Sequence, residues 1–279
     1  MSLKLNSSGG GSVTLQEPTT ASNRTLNLPD ADASLVVDYS VITSAVSVTG
    51  ATTLGSSAFG KLHQCSGTSA DYTVTLPAVS GNAGKIIGFQ MSTALTKLVT
   101  LDGNASETID GATTRVMWAG ETAILYCDGT AWTKIGGKTI PMIAGQTVST
   151  TQSVATSTLV KKTLGTSTNS NCPASMNETG NSRIVIARGG NYMVQISSRL
   201  QNVSAQSSAE SLLYKNGAEI AITDSFFGAG FFPNPAVTLA RNFAVSDYLE
   251  LYVRQYVGSN QTYGNFPENC LVATEIAQW

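Results

Sequence analysis

The sequence predicts an all-β protein, and three observations carry that expectation. Only 12% of the 279 residues are charged, against roughly a quarter in an average globular domain. Ser, Thr, Gly, Ala and Asn fill the difference, and these residues suit turns and strand faces. Short apolar/polar alternations recur along the chain, nearly all closed by Gly, Asp-Gly or Pro, and no stretch carries a convincing 3.6-residue period. With 42% hydrophobic residues and a net charge of -2, the composition is not that of a disordered chain.

Residues 1–38 form the first region, a strand-rich arm. Val13 and Leu15 alternate with polar neighbours, as do Leu26 and Leu28, and Leu35 and Val36 follow the turn Pro29-Asp30-Ala31-Asp32. So few apolar residues cannot bury enough surface to be stable alone, so these strands need partners from elsewhere. Residues 39–60 (DYSVITSAVSVTGATTLGSSAFG from Asp38) are low in complexity and read as a connector with one short helical turn near Val41–Val46.

Residues 61–138 contain the runs DYTVTLPA, GKIIGFQM, KLVTLDG, TRVMWAG, ETAILYCDG and AWTKIGG. They predict an antiparallel β domain. Residues 139–279 contain a further series, from STLVKKTLG and SRIVIARGG to DYLELYVRQYV and CLVATEIAQW. Lys215-Asn216-Gly217 is a tight-hairpin signal, because Asn-Gly accepts the positive φ angles of a type I′ turn. Eight to ten strands in this length predict a two-sheet sandwich, most simply a jelly roll.

Several function classes lose ground on composition. Sixteen basic residues are scattered singly, whereas a nucleic-acid surface needs them clustered. The opening MSLKLN leads into no apolar run, so no secretory signal is expected and synthesis in the cytosol is. No apolar run is long enough for a membrane helix. Cys65, Cys127, Cys172 and Cys270 form no C-x-x-C pair and His63 is the single histidine, so neither a metal site nor a cofactor is expected. Cytosolic synthesis favours free thiols over Cys65/Cys127 and Cys172/Cys270 disulfides, though the spacing alone leaves both open.

No catalytic grouping is expected either. His63 and Cys65 share a strand face as an i, i+2 pair, but a strand histidine without a nucleophilic role is the simpler account. Asp102, Glu107 and Asp110 are the densest carboxylates. Sugar cleavage needs a carboxylate pair, while turns use carboxylates to bond their own backbone; the turn role is the expectation. Asp102-x-Asn104-x-Ser106 begins like a calcium loop but lacks its glycine and final glutamate.

The stretch GGGSVTLQEP, ASNRTLNLPD, ASLVV resembles a segment near the N-termini of tailed-phage fibre and virion-surface proteins, and YTVTLPAVSGNAGKIIGFQ through ETAILYCDGTAWTKIG resembles a phage fibre module. GGNYMVQISSRL, LLYKNGAEIA and VSDYLELYVRQ are similar to the C1q/tumour-necrosis-factor type of trimeric jelly roll. The chain departs from that pattern at Ser246-Asp247, where a Gly-Asp pair is usual, and at Cys270-Leu271-Val272, in place of a Phe-x-Gly.

The resemblance implies an intertwined homotrimer on a bacteriophage virion. Val13, Leu15, Leu26, Leu28, Leu35 and Val36 would anchor it to other virion proteins of capsid or tail. In DSFFGAGFFPNPAV, Phe226, Phe227, Phe231 and Phe232 fall within seven residues broken by glycines. They would pack at the trimer axis, form a binding patch or complete the core of one chain; Tyr252, Tyr256 and Tyr263 offer the same choice between trimer contact and binding surface. The expected function is a non-enzymatic structural protein, a tail fibre whose C-terminal knob meets a host-surface glycan or protein. The alternatives are a capsid decoration or head-fibre protein that cements the capsid and, as an enzyme, a polysaccharide depolymerase.

Overall fold

The computed structural model describes residues 2–6, 12–16, 42–148, 150–201, 203, 205–264 and 266–277. The chain divides into two compact units, Met1–Tyr39 and Ser40–Trp279.

In the first unit, β1 (Ser2–Asn6) and β2 (Ser12–Gln16) pair antiparallel, with Leu5 opposite Val13 and Leu3 opposite Leu15. The opening Leu3-x-Leu5 matches the Val13-x-Leu15 alternation of its partner, which suits them to one hairpin. Leu26, Leu28, Leu35 and Val36 lie outside the described residues.

The second unit begins with β3 (Ser44–Val48), β4 (Thr52–Thr53), β5 (Lys61–Cys65), β6 (Tyr72–Thr75), β7 (Ile86–Met91), β8 (Val99–Asp102), β9 (Thr114–Met117), β10 (Thr122–Cys127) and β11 (Trp132–Gly136). The six runs read from residues 72 to 136 are all strands, but the expected antiparallel pairing holds only for the later ones. β3, β5 and β7 stack in parallel in one sheet, and β4, β6 and β8 stack in parallel in another. The chain crosses between the sheets at each step, as in a short β-solenoid. β9 then closes the second sheet antiparallel on β8, while β10 and β11 extend the first from β7.

The stretch read as a connector thus carries β3 and β4, with a 3-10 turn at Ser56–Ala58, and among the described residues 42–46 there is no helical turn. Period-two alternation marks a strand without saying which way its neighbour runs, and Ser/Thr-rich strands resemble linkers. Inside, ladders of like position stack: Val46 on His63 on Phe89, and Val48 on Cys65 on Met91. Trp132, Leu76, Ile109 and Leu125 complete a fully buried core, each large aliphatic contributing about 1.5–3 kcal/mol of transfer free energy.

The remainder holds β12 (Ile143–Thr147), β13 (Gln152–Val154), β14 (Val160–Lys161), β15 (Thr166–Asn171), β16 (Asn177–Glu178), β17 (Arg183–Val185), β18 (Gly190–Ser197), β19 (Ser207–Lys215), β20 (Ala218–Phe227), β21 (Ala236–Phe243), β22 (Tyr248–Gln255), β23 (Gln261–Tyr263) and β24 (Cys270–Ala277). A five-stranded and a six-stranded antiparallel sheet face each other, ordered β15-β12-β24-β18-β21 and β16-β17-β22-β19-β20, the sixth strand being β14 on β22. Apart from the β16–β17 and β19–β20 hairpins and the separate β13–β23 pair, the chain passes back and forth between the sheets, the jelly-roll arrangement the sequence predicts. Tyr192, Val194 and Ile196 of β18 meet Leu249, Leu251 and Val253 of β22 in the core. Asn216 and Gly217 join β19 to β20 with φ of 51° and 79°, as the Asn-Gly pair predicts.

Candidate functional site: two unlike faces of the jelly roll

The outward sides of the two sheets differ in chemistry. Directly opposed residues share a face in an antiparallel sheet, so register alone sorts them. On the β12-β24-β18-β21 sheet the outward rows are Ile143–Thr274–Met193–Ala240, Gly145–Val272–Gln195–Thr238 and Thr147–Cys270–Ser197–Ala236. Those rows hold no Asp, Glu, Lys or Arg. Met193 is 42% exposed and Ile276, on the same side, 52%. Surfaces of soluble proteins normally carry charge; a flat, neutral, partly apolar face has the composition of an interface core.

The outward side of the other sheet is dense with charge and tyrosine. Its rows include Tyr252–Leu212–Ile222 and Arg254–Glu210–Asp224. Arg254 donates to Glu210 at 2.6 Å, Arg183 to Glu178 at 2.5 Å, and Lys161 to Glu250. Tyr214 and Tyr252 lie ring to ring at 4.3 Å, and the Arg183 guanidinium covers the ring of Tyr248 at 4.7 Å. Each cation has a carboxylate beside it, so this face is suited to water.

The structure separates the four phenylalanines. Phe227 is buried in the jelly-roll core, whereas Phe226, Phe231 and Phe232 are 84%, 65% and 48% exposed. Phe226 leaves β20 on its outward side, beside Ser208. Phe231 and Phe232 stand on the turn before β21, where Arg199 lies between the rings of Phe232 and Phe266 at 5.0 and 4.5 Å. Phe226, Phe231 and Phe232 line one open groove together with Pro233. Among the tyrosines, Tyr263 is wholly buried and donates from its hydroxyl to the Arg254 carbonyl at 3.3 Å. Tyr252 and Tyr256 stay on the charged face, Tyr256 donating to Glu210 at 3.1 Å.

Contrary to the expected turn role, the carboxylates of the LDGNASETIDG stretch bond groups 24 to 28 positions away along the chain. Glu107 accepts from the Val79 N–H through both oxygens at 3.0 and 3.1 Å, Asp102 accepts from the Thr75 hydroxyl, and Asp110 accepts from the Lys134 N–H at 3.2 Å. Gly103 is required there, because a Cβ would collide with the Glu107 carbonyl. Among the described residues no group of three His, Cys, Asp or Glu is placed to hold a metal ion. His63 and Cys65 do share the inward face, but His63 contacts Phe89 and the Gly88 carbonyl (3.3 Å), and burial holds its pKa low. Burial pushes the Cys65 thiol up to about 11, the reverse of an activated nucleophile. All four cysteines are free thiols.

One cluster is illegible in the sequence. Arg188, buried, donates to both oxygens of Glu121 at 2.9 Å, to Glu275 at 2.6 and 2.9 Å, and to the Ile140 carbonyl at 2.9 Å. Glu121 also accepts from the Trp118 and Ile140 N–H groups, and Glu275 from that of Met142, all at 2.8 Å. Burial alone would lower the Arg188 pKa, but the bonds to Glu275 and the charge of Glu121 outweigh it and hold the pKa above its usual value. Glu121 precedes β10 and Glu275 lies on β24, so this pair of charge-assisted bonds locks the solenoid to the jelly roll. Trp118, from the solenoid side, is packed into the jelly-roll core. The three residues stand 67 and 87 positions apart, and no spacing rule links them.

No protein-family model matches the chain, and no curated protein matches it by sequence. Among solved structures, the Eiger TNF of S. frugiperda is similar at 11% identity and a TM-score of 0.37, covering 50% of this chain and 94% of that one. Murine APRIL is similar at 7% identity and a TM-score of 0.39, covering 49% and 100%. The chain's own strand order establishes its jelly roll.

Proposed function

We propose that this chain is a homotrimeric, non-enzymatic structural protein on the surface of a tailed-phage particle, made in the host cytoplasm and assembled onto the virion. The observation that carries the oligomer is the uncharged outward face of β12, β24, β18 and β21, opposed to a face on which each cation has a carboxylate neighbour. A neutral face repeats against copies of itself without like-charge repulsion. Three exposed phenylalanines at the β20–β21 turn add a second apolar surface of the kind that anchors interfaces.

In this reading the N-terminal residues, with Val13 and Leu15 on β2, attach the protein to the particle. The solenoid is the spacer, and the jelly roll is a knob whose charged, tyrosine-bearing side faces host glycan or protein. The phage assignment rests on the sequence resemblance of the first two regions. Light scattering after gel filtration tests the oligomer: a particle near three times the 29.1 kDa chain is expected, and a stable monomer removes the proposal. Gold labelling of intact virions tests the location, with label on the tail expected; label confined to the head replaces the fibre by a capsid-decoration role.

A further inference from the structure

The first coil of the solenoid ends in an open strand edge. β3 pairs with β5 on one side, and among the described residues no strand pairs with its other side. The Ser66 N–H donates to the Val48 carbonyl and, on the other side of β5, the Ser92 N–H donates to the Cys65 carbonyl, both at 2.9 Å, which fixes the phase of the parallel ladder: Ser44, Val46 and Val48 turn their backbone groups toward β5, and Ala45 and Ser47 turn theirs away. The side chain of Val46 points inward above His63 and Phe89, the first member of its ladder. With no described residue stacked on it, it is 39% exposed. An open groove beside it is lined by Val46, Val48, Leu54 and Ala58.

Solenoid ends are ordinarily closed by a capping repeat, and free edges are ordinarily blunted by charge, proline or a bulge. Ser44–Val48 (SAVSV) has none of these. Lys61 is the only Lys, Arg, Asp or Glu side chain lining the groove. The Ile42 side chain reaches over β7, its Cδ1 lying 2.6 Å from where a Cβ on Gly88 would be. The residue that leads into β3 therefore lies over the β5–β7 side, away from the open edge.

We propose that this edge is a strand acceptor: an extended, uncharged segment of another polypeptide, with small apolar side chains at alternate positions, pairs in parallel with β3 and caps the solenoid. Pairing would satisfy the outward groups of Ala45 and Ser47, and one alternate side chain would cover Val46. The proposal is independent of the oligomer assigned to the jelly roll.

The test uses the full chain and a capped six-residue peptide of alternating Thr and Val, with hydrogen exchange of Ser44–Val48 read by mass spectrometry. Fast exchange alone and at least tenfold slower exchange with peptide are the expected results. Val46→Lys, which places charge on the edge, and Ala45→Pro, which removes an outward N–H without touching a bond to β5, should each weaken the effect at least tenfold. Equal protection by the peptide N-methylated at every residue would overturn strand pairing, as would unchanged binding by both variants. Slow exchange at Ser44–Val48 without peptide also overturns it. In that case the edge is already covered, by the chain's own residues if protection is independent of protein concentration and by a second copy if it rises with concentration.

Discussion

Lys162 offers a quantitative test of the jelly-roll interior. It follows β14, has no accessible surface, and its Nζ has no hydrogen-bond partner; the ring of Tyr263 lies 5.1 Å away. Burial pulls the ammonium pKa from 10.5 down to about 8. In the unfolded chain the group stays protonated to about pH 10.4. Between roughly pH 8 and 10.4 the unfolded state therefore binds more protons here than the folded state, so this residue's contribution to stability rises with pH through that window. Below about pH 8 both states are protonated and the fold bears the full cost of a buried cation. A shift of this size corresponds to about 3 kcal/mol.

Lys162→Met keeps the length of the side chain and removes the charge. At pH 7 it should stabilise the protein by about 2–3 kcal/mol, which raises Tm by several degrees in a chain of this size. By pH 10.5 the gain should shrink towards zero. Denaturant titrations of wild type and variant at pH 7, 8.5 and 10.5 measure it. A variant less stable than wild type at pH 7, or a gain that does not change with pH, would refute the reasoning.

Arg188→Met should cost about 3–5 kcal/mol, because it leaves the Glu121 and Glu275 carboxylates buried without their cation; the triple change Arg188→Met/Glu121→Gln/Glu275→Gln should recover most of that loss in the same denaturant titrations. Met193→Arg places charge in the middle of the neutral face and should convert the oligomer to monomer while leaving the far-UV spectrum unchanged, read by light scattering and circular dichroism. Asn216→Ala should cost about 2 kcal/mol, since it forces alanine to φ 51° and removes side-chain bonds to Asp247 and the Tyr248 N–H. Ser246→Gly should be neutral or stabilising by up to about 1 kcal/mol, because Ser246 sits at φ 70° where glycine is unstrained.

Much of the fold was legible before any coordinates. Alternation bounded by glycine located β6 to β11 and most jelly-roll strands, since a strand with one buried face must alternate. Asn216-Gly217 located its hairpin because few residue pairs accept two positive φ angles. The exposed phenylalanine loop stood out by composition, though Phe227 proved to be core and Tyr263 proved to lie beneath Lys162. The strands that escaped notice are short or polar: β1, β3, β4, β5, β12, β13, β15, β16 and β23 owe their pairing to neighbours rather than to their own apolar content. The parallel coils escaped for a related reason, because alternation is the same for either direction of the neighbouring strand.

The sequence by itself determined strand identity, turn chemistry and the absence of clustered charge, all of which act over a few neighbouring residues. Only the tertiary structure decided which strands share a sheet, and with that which side chains share a face. The neutral rows of β12, β24, β18 and β21 are assembled from segments more than a hundred residues apart, as is the pairing of β12 with β24. The Arg188 lock, the unpaired ammonium of Lys162 and the open edge of β3 have the same origin. Each depends on what lies across a sheet or a core, and that is fixed by pairing and packing of the whole chain.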